Sequence, residues 1–343
     1  MRFLLLCSVV TLALTGCQKK ESIPVEESLE VVEEVKVDEP TKEKQQEISP
    51  LTGLSTESKA NERPVAVMIN NDPKARPQSG LKEADIVYEL LAEGSITRFM
   101  AIYQSEKPEV IGPVRSARDY YVELSKGYDA FYVCHGWSPD AKAMLEAGEV
   151  DSLNGLFYDG TLFKRSKDRK APHNSYITYE NIKKGAKEKG YSMEEEISRL
   201  SFVEEASLSG MEATDVTVKH MNTALATVVY TYDKEKEKYT RSDGKTDTID
   251  AESQDLILVD NVLIVEAKHK IVDNQGRRDI DLTSGGKGYL LQKGVAQKVE
   301  WKNVDGRLLP YQDETVIPFV KGKTWINVIS TSPGVDEGVL IES

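Results

Sequence analysis

The chain has 343 residues, 39% hydrophobic and 29% charged, the composition of an ordinary globular protein of about two domains. Its formal net charge is −13, and no basic stripe interleaved with aromatics runs through it, which excludes a nucleic-acid partner. The cysteines stand at positions 7, 17 and 134 and the histidines at 135, 173, 220 and 269, with neither a disulfide framework nor an HExxH-like metal spacing among them.

The first element is a leader. Met1-Arg2 supplies a positive start, and Phe3 to Leu14 is nearly all apolar. A membrane-crossing helix needs about 20 apolar residues, so this run fits the apolar segment of a signal peptide over residues 1–16. It ends in Leu14-Thr15-Gly16-Cys17, which resembles a bacterial lipobox. The resemblance implies diacylation of the Cys17 thiol, and two acyl chains give the stable anchoring that one does not. The expected location is the extracytoplasmic face of the cell membrane.

Residues 17–50 carry ten acidic side chains between Glu21 and Glu47 against Lys19, Lys20, Lys36, Lys42 and Lys44, with no aromatic and with Pro24, Pro40 and Pro50. Such a stretch buries too little apolar surface to offset its ordering entropy, so a disordered acidic tether is expected. Cys7 leaves with the leader and Cys17 is acylated, so only Cys134 remains in the folded part.

From residue 51 to about 200 strands alternate with helices. Val65–Ile69, Asp85–Leu91, Thr97–Tyr103 and Ala130–Cys134 read as strands. Ser138-Pro139-Asp140 opens a helix that Gly148 closes, and a second helix runs from Thr178 to Gly190. This pattern predicts an N-terminal α/β layer domain with a mixed sheet. Beyond 210 the strands are short and separated by turns: 216–218, 227–232, 238–241, 256–259, 262–265 and 325–329. They predict a smaller, mostly antiparallel C-terminal β domain over 210–343, for an α+β protein as a whole.

The most distinctive segment is Ile111-Gly-Pro-Val-Arg-Ser-Ala-Arg-Asp119. If Ser116 caps a helix, Arg118 lies in its first turn, where a cation is unfavourable beside the positive dipole end. A bound anion, flanked by Arg115, would remove the conflict. The alternative is an arginine pair tied to internal carboxylates or carbonyls, with Asp119 among the possible partners. Arg76 in the turn Ala75–Gly80, Arg98 after the turn Glu93-Gly94-Ser95, and His173 and Asn174 in the loop Ala171–Asn174 complete the candidate ligand-binding set. Cys134 and His135 cannot form a dyad, because neighbours in a strand face opposite ways; Cys134 is expected in the core and His135 at a site. Ser284–Tyr289 lacks the spacing of a phosphate loop and opens a hairpin instead.

Taken together, Ala75–Gly80, Ile96–Phe99, Ile111–Arg118, Ala171–Asn174 and Gly322–Trp325 resemble the YerB-like lipoprotein family of Gram-positive bacteria. That resemblance runs from about Pro50 to the C-terminus and implies compartment and architecture, not a chemistry. A second likeness links Ala84–Val87, Arg98–Ile102 and Arg115–Asp119 to the order of elements in LytR-CpsA-Psr phosphotransferases. It implies arginines on a pyrophosphate and Asp85 or Asp119 on a metal. The leading expectation is a tethered binding or accessory module of cell-envelope assembly, holding an anionic ligand or a wall-synthesis protein. The alternatives are a metal-assisted phosphotransferase or hydrolase, with no cofactor named, and a protein–protein adaptor docking through the β domain.

Overall fold

A computed structural model of the protein describes residues 47–204 and 209–343. The leader, Cys17 and nearly all of the acidic tether lie outside the described residues. Lys44–Ser343 forms one compact unit.

Its frame is a mixed twelve-stranded sheet. From one edge to the other the strands are 315–316, 307–312, 295–304, 286–292, 261–267, 324–330, 86–91, 97–103, 65–70, 131–134 and 152–154, with 211–212 paired to the side of 295–304. The expected strands are present, but the two halves of the chain share this one sheet. The join is strand 324–330, parallel to 261–267 on one side and to 86–91 on the other. Trp325-Ile326-Asn327-Val328-Ile329 is buried throughout, the mark of a strand covered on both faces and therefore central. The C-terminal half is accordingly not antiparallel at its junction. Its hairpins 286–304 and 295–312 are antiparallel, as is a separate five-stranded sheet in the order 258–259, 238–242, 227–233, 215–219, 339–342.

Alternation along the strands sorts two cores. Val65, Val67, Ile69, Phe99 and Ala101 share one cluster with Val216, Val218, Val228 and Tyr230 of the five-stranded sheet. Ala66, Met68, Met100 and Ile102 face the other way. They meet helices α1 (Asp119–Lys126) and α2 (Pro139–Glu146) through Tyr121, Val122, Leu124, Ala141 and Leu145. Each such side chain contributes about 1.5–3 kcal/mol on full burial, which is why no strand of the middle can slip register. A short helix α3 (Gly155–Tyr158) follows strand 152–154, and α4 (Tyr179–Lys189) packs Ile182 and Ala186 on the first core. Helix α4 is capped as its sequence predicts: Thr178 accepts from Asn181 N at 3.0 Å, and Gly190 takes φ 75°.

One expectation about local structure is corrected. Ser116 does not cap a helix. Segment 115–117 is extended, with Arg115 N bonded to Met68 O at 2.8 Å and Ala117 N to Gly136 O at 2.9 Å. Helix α1 starts two residues later than a Ser116 cap would place it, with Arg118 as N-cap and no side-chain cap bond. Two strand-like backbone bonds outcompete one hydroxyl cap.

A pH dependence follows from His269. Its Nδ1–H donates to Ala267 O at 2.9 Å, and its Nε2 is buried without a partner. Burial holds its pKa down at about 4, against the Ala267 bond that raises it. The folded state therefore stays unprotonated between pH 6.5 and 4 while the unfolded chain takes up a proton, so stability falls as pH drops through that window. We expect a loss of roughly 2 kcal/mol from this ring, discounted for its partial exposure. Urea unfolding of the parent and of His269→Gln at pH 7 and pH 4.5 checks it; an equal drop in both excludes His269 as the cause.

Candidate functional site

The strands 65–70, 86–91, 131–134, 152–154, 261–267 and 324–330 all run the same way, since 97–103 is antiparallel to both of its neighbours. Their carboxyl ends share one edge of the sheet, the side on which such sheets place ligands. This edge gathers Arg98, Arg115, Arg118, His135, His173 and Asn174 within a few residues of strand ends.

Arg98 and Arg118 are 4% and 7% exposed and converge on one carboxylate. Arg98 Nη2 donates to Glu93 Oε2 at 2.6 Å and its Nη1 to Ser116 O at 2.9 Å, while Arg118 pairs with Glu93 Oε1 and with Ala117 O. The structural alternative raised by the sequence thus holds for these two. Asp119 pairs with neither. It occupies the first turn of α1, where the dipole favours a carboxylate, and burial, then the nearby Asp140 and Asp279, raise its pKa.

Arg115 is different. It is half-buried and has no side-chain hydrogen bond or ion pair among the described residues. Burial first and the Arg98 guanidinium second push its pKa down to about 10, with Asp72 opposing them. It remains a full cation at neutral pH, in a place that disfavours one.

Next to it stands His135, whose backbone N donates to Arg115 O at 2.9 Å. Its Nε2 lies 2.9 Å from Arg165 Nη2 and its Nδ1 2.8 Å from Ser175 Oγ. A guanidinium only donates, so Nε2 is the acceptor and Nδ1–H donates to the Ser175 oxygen. In this tautomer His135 cannot take the Ser175 proton, which removes a Ser–His nucleophile. Burial, then Arg165, hold its pKa down, keeping the ring neutral. Gly155 is required here: a Cβ on it would stand 2.3 Å from His135 Nδ1.

Asn70 orients His173. Its Oδ1 accepts from Asp72 N at 3.1 Å, so Nδ2 points at His173 Nδ1, 2.9 Å away. The free Nε2 of His173 therefore carries the hydrogen and is a donor. Asn174 is structural: Oδ1 accepts from Arg165 Nη1 at 3.1 Å and Nδ2 donates to Ser166 O at 3.2 Å, closing loop 166–174.

Arg76, beside the carboxyl end of strand 65–70, is already paired. It pairs with Asp243 at 2.9 Å and donates to Asn71, on the wall of a cavity of about 350 Å³ that Arg241, Thr246 and Thr248 also line. Asp85 is fully buried at the amino end of strand 86–91, accepting from Gln104 N at 2.6 Å and from Ser105. A six-residue strand, about 20 Å, separates it from the carboxyl edge. The arginines and Asp85 thus do not meet, contrary to the arrangement that the phosphotransferase likeness implies. Among the described residues no group of three His, Cys, Asp or Glu side chains stands together as a metal site. Cys134 is buried and its thiol is pushed up to about 12 by burial, in keeping with a core role.

Sequence reading missed Arg165, Asp159, Ser175 and Asn70, which set the tautomers of both histidines. The signal available was the cluster Lys164-Arg165-Ser166-Lys167-Asp168-Arg169-Lys170, five cations in seven residues of an acidic chain. No helix among the described residues is long and apolar enough to cross a membrane.

Residues 51–192 match the N-terminal domain, and residues 216–326 the C-terminal domain, of a family described as "Protein of unknown function (DUF3048)". The chain is 49% identical over 326 residues to "Putative lipoprotein YerB" of Bacillus subtilis (strain 168), covering 94% of this chain and 93% of that one. A crystal structure of YerB protein from Bacillus subtilis superposes with a TM-score of 0.80 at 51% identity, over 86% of this chain and 99% of that one.

Proposed function

The chain belongs to the DUF3048 family, which includes YerB, and from that premise we propose that it is a lipid-anchored extracytoplasmic receptor whose carboxyl edge holds an anionic group of a cell-envelope ligand. The lipobox-like Leu14–Cys17 and the name of the relative support the anchor at Cys17. The single observation behind the ligand is Arg115, a half-buried guanidinium with no ion pair among the described residues, beside two arginines that already share Glu93. Leaving such a cation unpaired is costly, and a phosphate or carboxylate accepting its planar fork of donors would offset that cost. The Nε2–H of His173 adds a donor. Binding leads over turnover because His135 is held as a neutral ring with its acceptor occupied by Arg165. A wall-synthesis protein presenting an acidic group would satisfy the same edge.

The test is thermal unfolding of residues 44–343 with inorganic pyrophosphate. At a hundred times its dissociation constant a ligand adds about 2.7 kcal/mol to the folded state, so the parent is expected to melt about 3 °C higher or more. Arg115→Ala is expected to melt within about a degree of the parent without ligand and to lose the shift. An unshifted parent, or a variant that shifts equally, would rule out Arg115 as the anion site.

A further inference from the structure

We propose that the carboxyl edge of the sheet is also a docking surface for an anionic lipid bilayer, with two apolar tips that enter the interface and unpaired lysines that hold it there. The first tip is helix α3, which follows strand 152–154. Leu156 is 52% and Phe157 70% exposed, and Phe157 is the only aromatic among the exposed large apolar residues described. Trp137 packs against it, ring centroids 5.7 Å apart and planes at 59°. The chain then turns through Asp159, which pairs with Arg165 at 2.9 Å, and leads straight into the basic cluster. Lys167 and Lys170 are exposed there with no ion pair among the described residues, and Arg169 bonds to the backbone of Ala75 and Pro77 instead of to a carboxylate.

The second tip repeats the pattern at the same edge. Strand 261–267 ends there and continues into hairpin 269–280, held to the edge by Arg278 Nη2 on Gly94 O at 2.7 Å. Its Ile271 and Val272 are 59% and 48% exposed, beside exposed Lys268 and Lys270 that lack ion pairs among the described residues. Six strand spacings, about 29 Å, separate the two tips along the sheet.

Each tip thus combines exposed apolar side chains with exposed lysines that form no ion pair among the described residues, in a protein of net charge −13; in the second tip Asp279 stands opposite Lys270. Net charge argues against a bilayer partner for the molecule as a whole; the segment 164–170, with five cations and one carboxylate, argues for it at this edge. Aromatic and aliphatic groups partition into the headgroup boundary, and each lysine near an anionic surface adds attraction that salt screens. This inference uses residues other than Arg115 and does not rest on the anion site.

Residues 44–343, which lack the acylated Cys17, would be sedimented with vesicles of phosphatidylglycerol and, separately, of phosphatidylcholine. Binding to the first at least tenfold stronger than to the second is expected, together with a blue shift of tryptophan emission. Trp301 and Trp325 are fully buried, so that shift reports Trp137. Leu156→Ser/Phe157→Ser is expected to lose the blue shift and at least tenfold in binding, and Lys167→Glu/Lys170→Glu to lose a similar factor, with circular dichroism unchanged in both. Equal sedimentation on the two lipids overturns the proposal, as does a serine variant that binds like the parent, which would reduce the contact to electrostatics alone. A pyrophosphate shift surviving in a protein that ignores vesicles leaves the Arg115 site standing and removes only the docking surface.

Discussion

Replacing Glu89 by alanine is expected to lower stability by about 4 kcal/mol, the largest effect of any single polar substitution in the fold. Glu89 sits in the middle of strand 86–91, fully buried, and binds Arg241 through both oxygens, at 3.1 Å to Nε and 2.8 Å to Nη2. Burial alone would raise its pKa; Arg241 above all reverses this and holds it below the usual carboxylate value. Trp325 Nε1 donates to the same carboxylate at 3.0 Å and Thr97 Oγ1 at 2.8 Å. The guanidinium of Arg241 lies about 5 Å from the Phe99 and Trp325 rings, 5.2 and 5.1 Å to their centroids. Arg241 belongs to the five-stranded sheet and Trp325 to the central strand, so this one carboxylate ties the two layers together. Its loss leaves a buried cation and two orphaned donors, Trp325 Nε1 and Thr97 Oγ1. Urea unfolding of Glu89→Ala measures the cost, and Glu89→Leu/Arg241→Leu is expected to recover much of it by removing both charges. A single variant within about 1 kcal/mol of the parent would mean that the network is solvated and not a clamp.

Glu93→Ala is expected to cost about 2–3 kcal/mol, less than Glu89 because the carboxylate is 30% exposed and partly screened. Its two partners are not: the side chains of Arg98 and Arg118 are 5% and 8% exposed. Without Glu93 the edge holds three neighbouring guanidiniums and no carboxylate joining them. The variant should therefore gain more from added phosphate than the parent does, read as a steeper rise of melting temperature over millimolar phosphate. Equal phosphate slopes would show that Arg98 and Arg118 are satisfied by the carbonyls of Ser116 and Ala117 alone, and that the edge does not concentrate anions.

Much of this protein is legible along the chain. Val65–Asn70, Ile86–Leu91 and Thr97–Tyr103 announce themselves by apolar runs, and helices α2 and α4 by Ser138-Pro139 and by Thr178 with Gly190, because strands and caps depend on neighbours in sequence. The placement of Cys134 in the core follows equally from strand periodicity. The candidate edge was legible only as a set of residue types. Arg98, Arg115 and Arg118 look alike in sequence, yet two share Glu93 and one does not, and that difference depends on which side chains the fold brings to the same carboxylate. The same holds for His135 and His173, whose tautomers are set by Arg165 and Asn70, 30 and 103 residues away along the chain.

The sequence by itself determined the strands of the N-terminal half, several of those beyond 210, helices α2 and α4, an α+β composition, and the family. Only the tertiary structure decided that both halves share one sheet, that Asp85 stands a strand's length from the arginines of the edge, and that Arg115, unlike Arg98 and Arg118, has no ion pair among the described residues. The physical reason is range. Periodicity, capping and turn chemistry act over a few residues, whereas charge compensation and sheet order are set by pairs such as Glu89 with Arg241, which nothing but the packed core brings within 3 Å.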